Sequence, residues 1–390
     1  MKAITSSPNI PRPRFTRLPS PPQLATITST APTLYTIAPD LKASVNMQAA
    51  VGIDHQFGKI ATVSATYINA RGVHQYLSNN VNAYLPGTYD VTTGTGTRPN
   101  GMNQNIYQYQ SGGTYNQNQL MVNYTVRAKN VSLFGFYTFN HANADTSGAT
   151  YFPTNPFSPG ADYGRANFDV RNRFLLGGNI QAPFGVSLSP MLVSNSGQPF
   201  NITIGRDLNG DNQFNDRPAF ATAGSTSVMN TSYGNFDLNP SWDQSRIPYN
   251  YGTGPGQFSV DMRMSKSFGI GPKVSSGAAG FSGGMGGPGG PGGPPMGGGR
   301  PGGGGAPGGG LGPSGLSRGV GPQGPEQNLK SRYSLNFSVM ARNVLNNVNL
   351  ANPVSVLQSP LFGKSNALAG GFFSSAAANR SIDLQMSFNF

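Results

Sequence analysis

The last eleven residues, Arg380-Ser-Ile-Asp-Leu-Gln-Met-Ser-Phe-Asn-Phe390, constrain the fold most. Ile382, Leu384, Met386, Phe388 and Phe390 share one parity, and Ser381, Asp383, Gln385, Ser387 and Asn389 share the other. Side chains of a β-strand alternate between its two faces, so this segment reads as a strand with one apolar and one polar side. The pattern recurs upstream. Phe258, Val260, Met262 and Met264 alternate with Ser259, Asp261, Arg263 and Ser265, while Tyr333, Leu335, Phe337 and Val339 alternate with Arg332, Ser334, Asn336 and Met340. Met47, Ala49, Val51 and Ile53 form a further apolar set, as do Leu120, Val122, Tyr124 and Val126. Weaker strands read at 60–70, 131–140, 170–182 and 186–194, the last interrupted by Pro190. Helical spacing of apolar residues does not appear.

The connections alternate in length. Short turns join 47–56 to 60–70 (Phe57-Gly58-Lys59), 117–127 to 131–140 (Ala128-Lys129-Asn130) and 170–182 to 186–194 (Pro183-Phe184-Gly185). Long segments, 71–116, 141–169 and 195–256, separate these hairpins. Short turns on one side and long loops on the other are the pattern of an outer-membrane barrel. A soluble sandwich also alternates apolar and polar residues, but it carries turn signals every ~8–12 residues. In the barrel reading, 346–379 is an extracellular loop. The connection between 257–268 and 331–344 then falls on the periplasmic side.

Composition agrees. Charged residues make up 10% of the chain and hydrophobic ones 36%, too little charge to cover a compact soluble body. Cysteine is absent, which excludes disulfides, thiolate metal sites and a Cys nucleophile. No apolar run is long enough for a membrane-spanning helix. The net charge is +12, but the basic residues are scattered. The densest cluster, Arg12, Arg14 and Arg17, lies in a Pro-rich stretch, so no nucleic-acid partner is expected. Between Gly277 and Gly324, 25 of 48 residues are Gly and 8 are Pro. That stretch has no Gly-X-Y period and too little apolar surface to order itself, so it reads as a disordered insert. The expected organisation is an irregular Pro-rich segment at 1–40, a barrel segment at 41–390, and the Gly/Pro-rich insert at 270–329 within it.

The fold class is therefore all-β: an antiparallel transmembrane β-barrel, of which this chain supplies about nine or ten strands. Bacterial single-chain barrels have even strand numbers, so either residues 1–40 hide a strand or the chain is the C-terminal portion of a larger barrel. The N-terminus lacks the apolar core of a signal peptide, which points to a fragment or a mis-started reading frame. On the apolar face, Lys266 and His55 break the pattern. Both lie near a strand end beside a Phe (Phe268, Phe57), where a long or amphipathic side chain can reach the headgroups. Phe388 and Phe390 are expected in the periplasmic aromatic girdle.

Several stretches resemble the C-terminal barrel of Oar-like TonB-dependent outer-membrane receptors. They are Phe168-Asp-Val-Arg-Asn-Arg-Phe174 with Pro183-Phe-Gly185, Ser196-Gly-Gln-Pro-Phe-Asn-Ile-Thr203 leading into Gly205-Arg-Asp-Leu-Asn-Gly-Asp-Asn-Gln-Phe-Asn-Asp-Arg-Pro218, Asp261-Met-Arg-Met-Ser-Lys-Ser-Phe268, and Ala341-Arg-Asn-Val-Leu-Asn-Asn-Val-Asn349. Their order fits the family over 41–390. The resemblance implies a 22-stranded barrel with a plug and a TonB box. It also implies localisation in the outer membrane of a Gram-negative bacterium. Its partners would be membrane lipid, the barrel-assembly machinery through the strand ending in Phe390, and TonB through a plug outside this chain. The expected function is to form wall and extracellular loops of a solute-uptake transporter. A structural or adhesive surface protein and a passive porin-like channel are the alternatives.

Asp207, Asn209 and Asp211 share the D-x-N-x-D spacing of calcium loops, and Asp216 could add a ligand. Asn212 and Pro218 stand where an EF-hand needs Gly and Glu, so only a looser Ca2+-stabilised extracellular loop is expected, with an Asx-rich turn as the alternative. No other cofactor is expected. Gly363-Lys364-Ser365 lacks the first Gly of a P-loop. No nucleophile elbow or acid/base pair appears, so no enzyme is expected. Arg171, Arg173, Arg263, Arg332 and Arg342 face the lumen, either drawing anionic solutes or, the preferred reading, pairing with Asp261, Asp383 or backbone acceptors.

Overall fold

The computed structural model describes residues 31–273, 331–370 and 378–390. Its principal strands are β1 (Thr33–Ile37), β2 (Val45–Phe57), β3 (Ala61–Asn80), β4 (Asn105–Ala128), β5 (Val131–Ala144), β6 (Asn172–Ala182), β7 (Val186–Asn195), β8 (Gln257–Lys273), β9 (Ser331–Arg342) and β10 (Ser381–Asn389). Strands β2 to β10 form one meander in which each pairs with its sequence neighbour, always antiparallel. All nine strands read from the sequence are present.

The register decides which faces meet. Leu384, Val339, Met264, Leu188, Ile180 and Val131 sit opposite one another across six strands. Val51, Tyr67, Leu120 and Phe139 form a second row across β2 to β5. Because parity is conserved along a strand, every apolar set falls on one face of the sheet. The other face carries rows such as Gln385, Ser338, Ser265, Ser187 and Gln181. Met264, Phe337 and Leu120, all on inner strands, remain 45%, 43% and 39% exposed. A sheet with a continuous, uncovered apolar face is built to meet a nonpolar solvent. From Val131 to Phe139 the face runs nine residues, within the ~9–11 residues a tilted strand needs to cross the hydrocarbon.

The exceptions on that face behave as their chemistry requires. Lys266 lies opposite Phe337 and Val186, and its Nζ sits 4.8 Å from the Phe268 ring centroid. The His55 and Phe57 rings meet edge to face at 4.4 Å. Around this end gather more aromatic rings: Phe268 on Phe337 at 6.0 Å, Tyr333 on Phe388 at 6.0 Å and Phe388 on Phe390 at 6.3 Å. Aromatic rings at the edge of the apolar band are suited to the headgroup level. Pro190 is accommodated because the β6–β7 ladder passes over it, pairing Gly177 with Met191 and Ile180 with Leu188.

Tight turns close β2–β3, β4–β5 and β6–β7 at one end of the sheet. Phe184 takes φ 64° in the third of these. Lys273 pairs with Ser331, so the intervening segment leaves and returns at the same end. The residues read as a disordered insert lie outside the described ones, apart from 270–273, which extend β8. The opposite, loop end corrects one boundary. Residues 71–80 and 105–116 are not loop but continuations of β3 and β4, leaving 81–104 as the connection. Polar residues and glycines interrupt both parities there (Gln75, Asn79, Gly112, Gly113), and apolar side chains among them, such as Leu77 and Tyr107, are buried, so the lipid-facing alternation breaks off. The segment 1–40 also contains β1, which pairs in parallel with the start of β4 at this end and adds no strand to the wall. Strands β2 and β10 are the sheet edges, and both run from the loop end to the turn end.

The protein's main hydrophobic core lies in the loops. Phe200, Ile202, Ile204, Phe236, Ile247 and Leu357 pack together, all buried. A small sheet of Ala219–Phe220, Gly234–Asp237 and Val228–Thr231 frames it, and residues 354–357 lock on through Leu357 N–H to Thr203 O at 2.8 Å. A wall strand faces lipid on one side and water on the other, so it needs no such core of its own. The loops must exclude water among themselves.

Candidate functional site

A cavity of about 710 Å3 opens among the loops 81–104, 145–171 and 196–256. Three features shape it. The first is a buried ion pair at its floor. Arg217, 2% exposed, donates to Asp162, 1% exposed. Asp162 also accepts from the Tyr151 hydroxyl at 2.6 Å and the Thr154 amide at 2.7 Å. A charge pair taken out of water needs such additional partners to persist. Burial, then the Asp162 charge, push the Tyr151 hydroxyl far above its ordinary range.

The second feature is the segment Asp207–Asp216, in which sequence spacing suggested a calcium loop. The four named residues come together, but they fold as nested Asx turns. Asp207 accepts from the amides of Gly210 at 2.6 Å and Asn212 at 2.8 Å. Asn209 Oδ1 accepts from Asp211 N at 3.0 Å, Asp211 from Gln213 N at 2.8 Å, and Asp216 from Leu208 N at 2.7 Å. The carboxylate oxygens thus face amide hydrogens, the alternative weighed above. Among the described residues no group of three or more His, Asp or Glu side chains is arranged to hold a metal ion. Burial, reinforced by the neighbouring carboxylates, raises Asp211 well above the usual carboxylate range and Asp216 to about 7. Gly210 (φ 71°) lets this loop press against two rings: a Cβ there would collide with Tyr84 and Tyr89. Leu208, Asn209 and Asp216 form cavity wall. The motif is legible in the sequence, but its partners are not.

The third feature is a set of rings and guanidinium groups that sequence reasoning missed. Tyr84 and Tyr89 stack at 4.9 Å, with the Arg98 guanidinium 3.9 Å from the Tyr84 ring centre. Trp242, the chain's single Trp, lies on Gly87, where an added Cβ would come 3.0 Å from the indole nitrogen. Arg206 and Arg246 complete the wall. Arg206 donates to Leu238 O and Asn239 Oδ1 at 2.8 and 2.6 Å. Arg246 donates to Ser241 O at 3.3 Å, and burial lowers its proton affinity.

Three of the arginines expected to face the lumen have partners within the chain. Arg342 pairs with Asp383 at 2.9 Å and Arg171 with the buried Asp169 at 3.1 Å. Arg263 reaches Ser338 Oγ at 3.4 Å. Asp261 accepts from the Asn343 amide at 2.8 Å instead of from an arginine.

Residues 2–276 match the family model of an outer membrane beta barrel domain. The chain belongs to that family. It is an all-β outer-membrane protein, and its uncovered apolar face is the surface such a barrel turns to lipid. Solved structures similar to this outer-membrane barrel include two transporters and a receptor. One is the outer membrane transporter YddB from Escherichia coli, 11% identical with a TM-score of 0.41, covering 93% of this chain and 34% of that one. Another is BauA, the ferric preacinetobactin receptor from Acinetobacter baumannii, 12% identical with a TM-score of 0.40, covering 88% and 29%. The third is the FrpB iron transporter from Neisseria meningitidis, 9% identical with a TM-score of 0.38, covering 90% and 32%. The chain therefore spans about a third of the length of those proteins. A comparison with curated proteins finds no match.

Proposed function

We propose that this chain forms part of the wall, and the loop-side solute site, of an Oar-like TonB-dependent outer-membrane transporter. The observation that carries the reading is the joining of a lipid-facing nine-strand meander to a structured, cavity-bearing loop end. A wall alone needs no packed loops, whereas a transporter needs a shaped receptacle on its outer side. Strand direction supports a larger barrel. Edge strands β2 and β10 run the same way, so pairing them directly would be parallel. Antiparallel closure calls for an odd number of further strands. On this reading those strands, the plug and the TonB contact come from sequence outside these 390 residues. The strand ending in Phe390, 95% exposed, would address the barrel-assembly machinery. The Asx turns of the 207–216 loop hold its carboxylates in place through amide hydrogen bonds.

Liposome swelling tests the reading against a passive channel. Vesicles carrying the chain should stay osmotically tight to small sugars, because a wall segment without its remaining strands encloses no pore. Swelling at porin-like rates would overturn it. Reading the coding sequence upstream for a plug in the same frame would separate a transporter from an adhesive surface protein.

A further inference from the structure

Charge divides unevenly between the two ends of the wall. The turn end, residues 54–64, 123–134, 179–189, 265–273, 331–337 and 385–390, carries Lys59, Arg127, Lys129, Lys266, Lys273 and Arg332. Its one acidic side chain is Asp54, which shares the parity of Gln56 and so the face turned away from lipid. The remaining described residues hold 13 Lys or Arg against 12 Asp, close to balance. The excess cations are gathered where the short turns lie.

These residues follow one continuous rim. The Arg127 amide donates to Ile60 O at 2.6 Å, joining the β4–β5 turn to the β2–β3 turn. The Gln181 amide donates to Asn130 O at 2.7 Å, joining the β4–β5 turn to the β6–β7 turn. Val186, just past that turn, lies opposite Lys266, and Lys273 lies opposite Ser331, beside Arg332. Lys59, Arg127, Lys129 and Arg332 are exposed, and neither they nor Lys266 belong to a described ion pair.

Apolar side chains stand between the cations. Phe57, Ile60 and Phe184 are 56, 57 and 90% exposed. Bare phenyl rings are out of place in water, and cations without counter-charge are out of place in hydrocarbon. Both are at home at the headgroup level, where rings sit at the interface and Lys or Arg reaches phosphate. Anionic phospholipid supplies the counter-charge that the rim lacks. An acidic polypeptide would answer the cations but not the position of Lys266, which stands in the lipid-facing row between Phe337 and Val186.

We infer that the turn-end rim binds anionic phospholipid, its phosphate taken by Lys59, Lys129 and Lys266, with Phe57 and Phe184 seated among the headgroups. The inference rests on the wall facing lipid, and it adds which lipid and at which end.

The full chain is purified in a neutral detergent with equal amounts of phosphatidylcholine and phosphatidylglycerol of identical acyl chains. Mass spectrometry of the lipid retained by the protein gives the ratio. Phosphatidylglycerol should be enriched about two-fold or more over the mixture, and less so as salt rises. Lys59→Gln, Lys129→Gln and Lys266→Gln together should return the ratio to that of the mixture. Lys42→Gln with Lys364→Gln, both exposed at the loop end, should leave the enrichment in place. Retention of the two lipids in equal amounts by the wild type, a triple variant that enriches as the wild type does, or equal loss from the two sets of substitutions would overturn the inference. Should the triple variant lose its β-sheet circular dichroism, Lys59→Gln and Lys129→Gln made singly decide, since both lie in turns. Each should lower the enrichment, and no change in either counts against the rim. Fluorescent polyglutamate that binds the wild type while the lipid ratio stays even would point to an acidic polypeptide instead and overturn the inference. The lipid-facing wall is checked apart, by the β-sheet signal in pure phosphatidylcholine vesicles, so the two readings fail separately.

Discussion

Replacing Met264 by arginine is the sharpest mutational probe of the lipid face. Met264 lies midway along β8, opposite Leu188 and Val339 on the apolar face. An arginine at the midplane of a lipid-facing barrel strand costs ~2–4 kcal/mol. At about 1.4 kcal/mol per decade, that lowers the folded-to-unfolded ratio in vesicles roughly 30- to 700-fold. The adjacent Ser265 faces the other way, between Ser187 and Ser338. There an arginine joins the polar face that already carries Arg263, away from lipid, and Ser265→Arg should cost no more than about 1 kcal/mol. The two substitutions add the same side chain one residue apart, so β-propensity and chain entropy nearly cancel between them. Urea titration of vesicle-inserted protein, followed by circular dichroism, measures both. Equal costs, or a Met264→Arg variant as stable as wild type, would refute the assignment of faces.

Other outcomes follow from the loop end. Asp162→Asn should leave Arg217 buried without a counter-charge and destabilise the loop core by about 3–5 kcal/mol, seen as a lower thermal midpoint of Trp242 emission with the β-sheet signal of the wall unchanged. Gly87→Ala should force the Trp242 indole off its seat and combine with φ 76° to strain the turn, shifting Trp242 emission to longer wavelength. Asp216 titrates near 7 in the folded loop but near 4 when unfolded. The folded loop therefore holds a proton that the unfolded one has released, so loop stability falls as pH rises from about 4 to 7 and levels off above. Asp216→Asn keeps an acceptor for the Leu208 amide and should flatten that part of the decline, read as the difference in thermal midpoint between pH 5 and pH 8.

The wall was legible in the sequence because a membrane imposes a rule on every second residue. Ile382 to Phe390 and Phe258 to Met264 obey it without exception, and Phe57-Gly58-Lys59 marks the turn between two such runs. Where the rule lapses, legibility lapses too. Residues 71–80 and 105–116 continue β3 and β4 beyond the apolar band, where both faces meet water or loop, so polar residues and glycines fall on both parities and break the period-two run. The loop core depends on pairings such as Thr203 with Val356, which join segments some 150 residues apart with no periodic signal. The cavity was less legible still. Asp207, Asn209, Asp211 and Asp216 suggest an ion site by spacing alone. Only the fold shows their oxygens turned to backbone amides and their loop pressed on Tyr84 and Tyr89. Arg206 and Arg246 are single basic residues in polar loops, and only the third dimension brings them to one wall with Trp242.

The central claim is that alternate side chains of each strand touch lipid while their neighbours face water. Because the chain has no cysteine, single cysteines placed in turn at positions 260–267 and spin-labelled in vesicles measure this residue by residue. Labels at 260, 262 and 264 should relax with dissolved oxygen and resist a water-soluble nickel reagent, while labels at 261, 263 and 265 should do the reverse, a full alternation of period two. A profile in which both parities are equally open to the nickel reagent, or both closed to each collider, would contradict it.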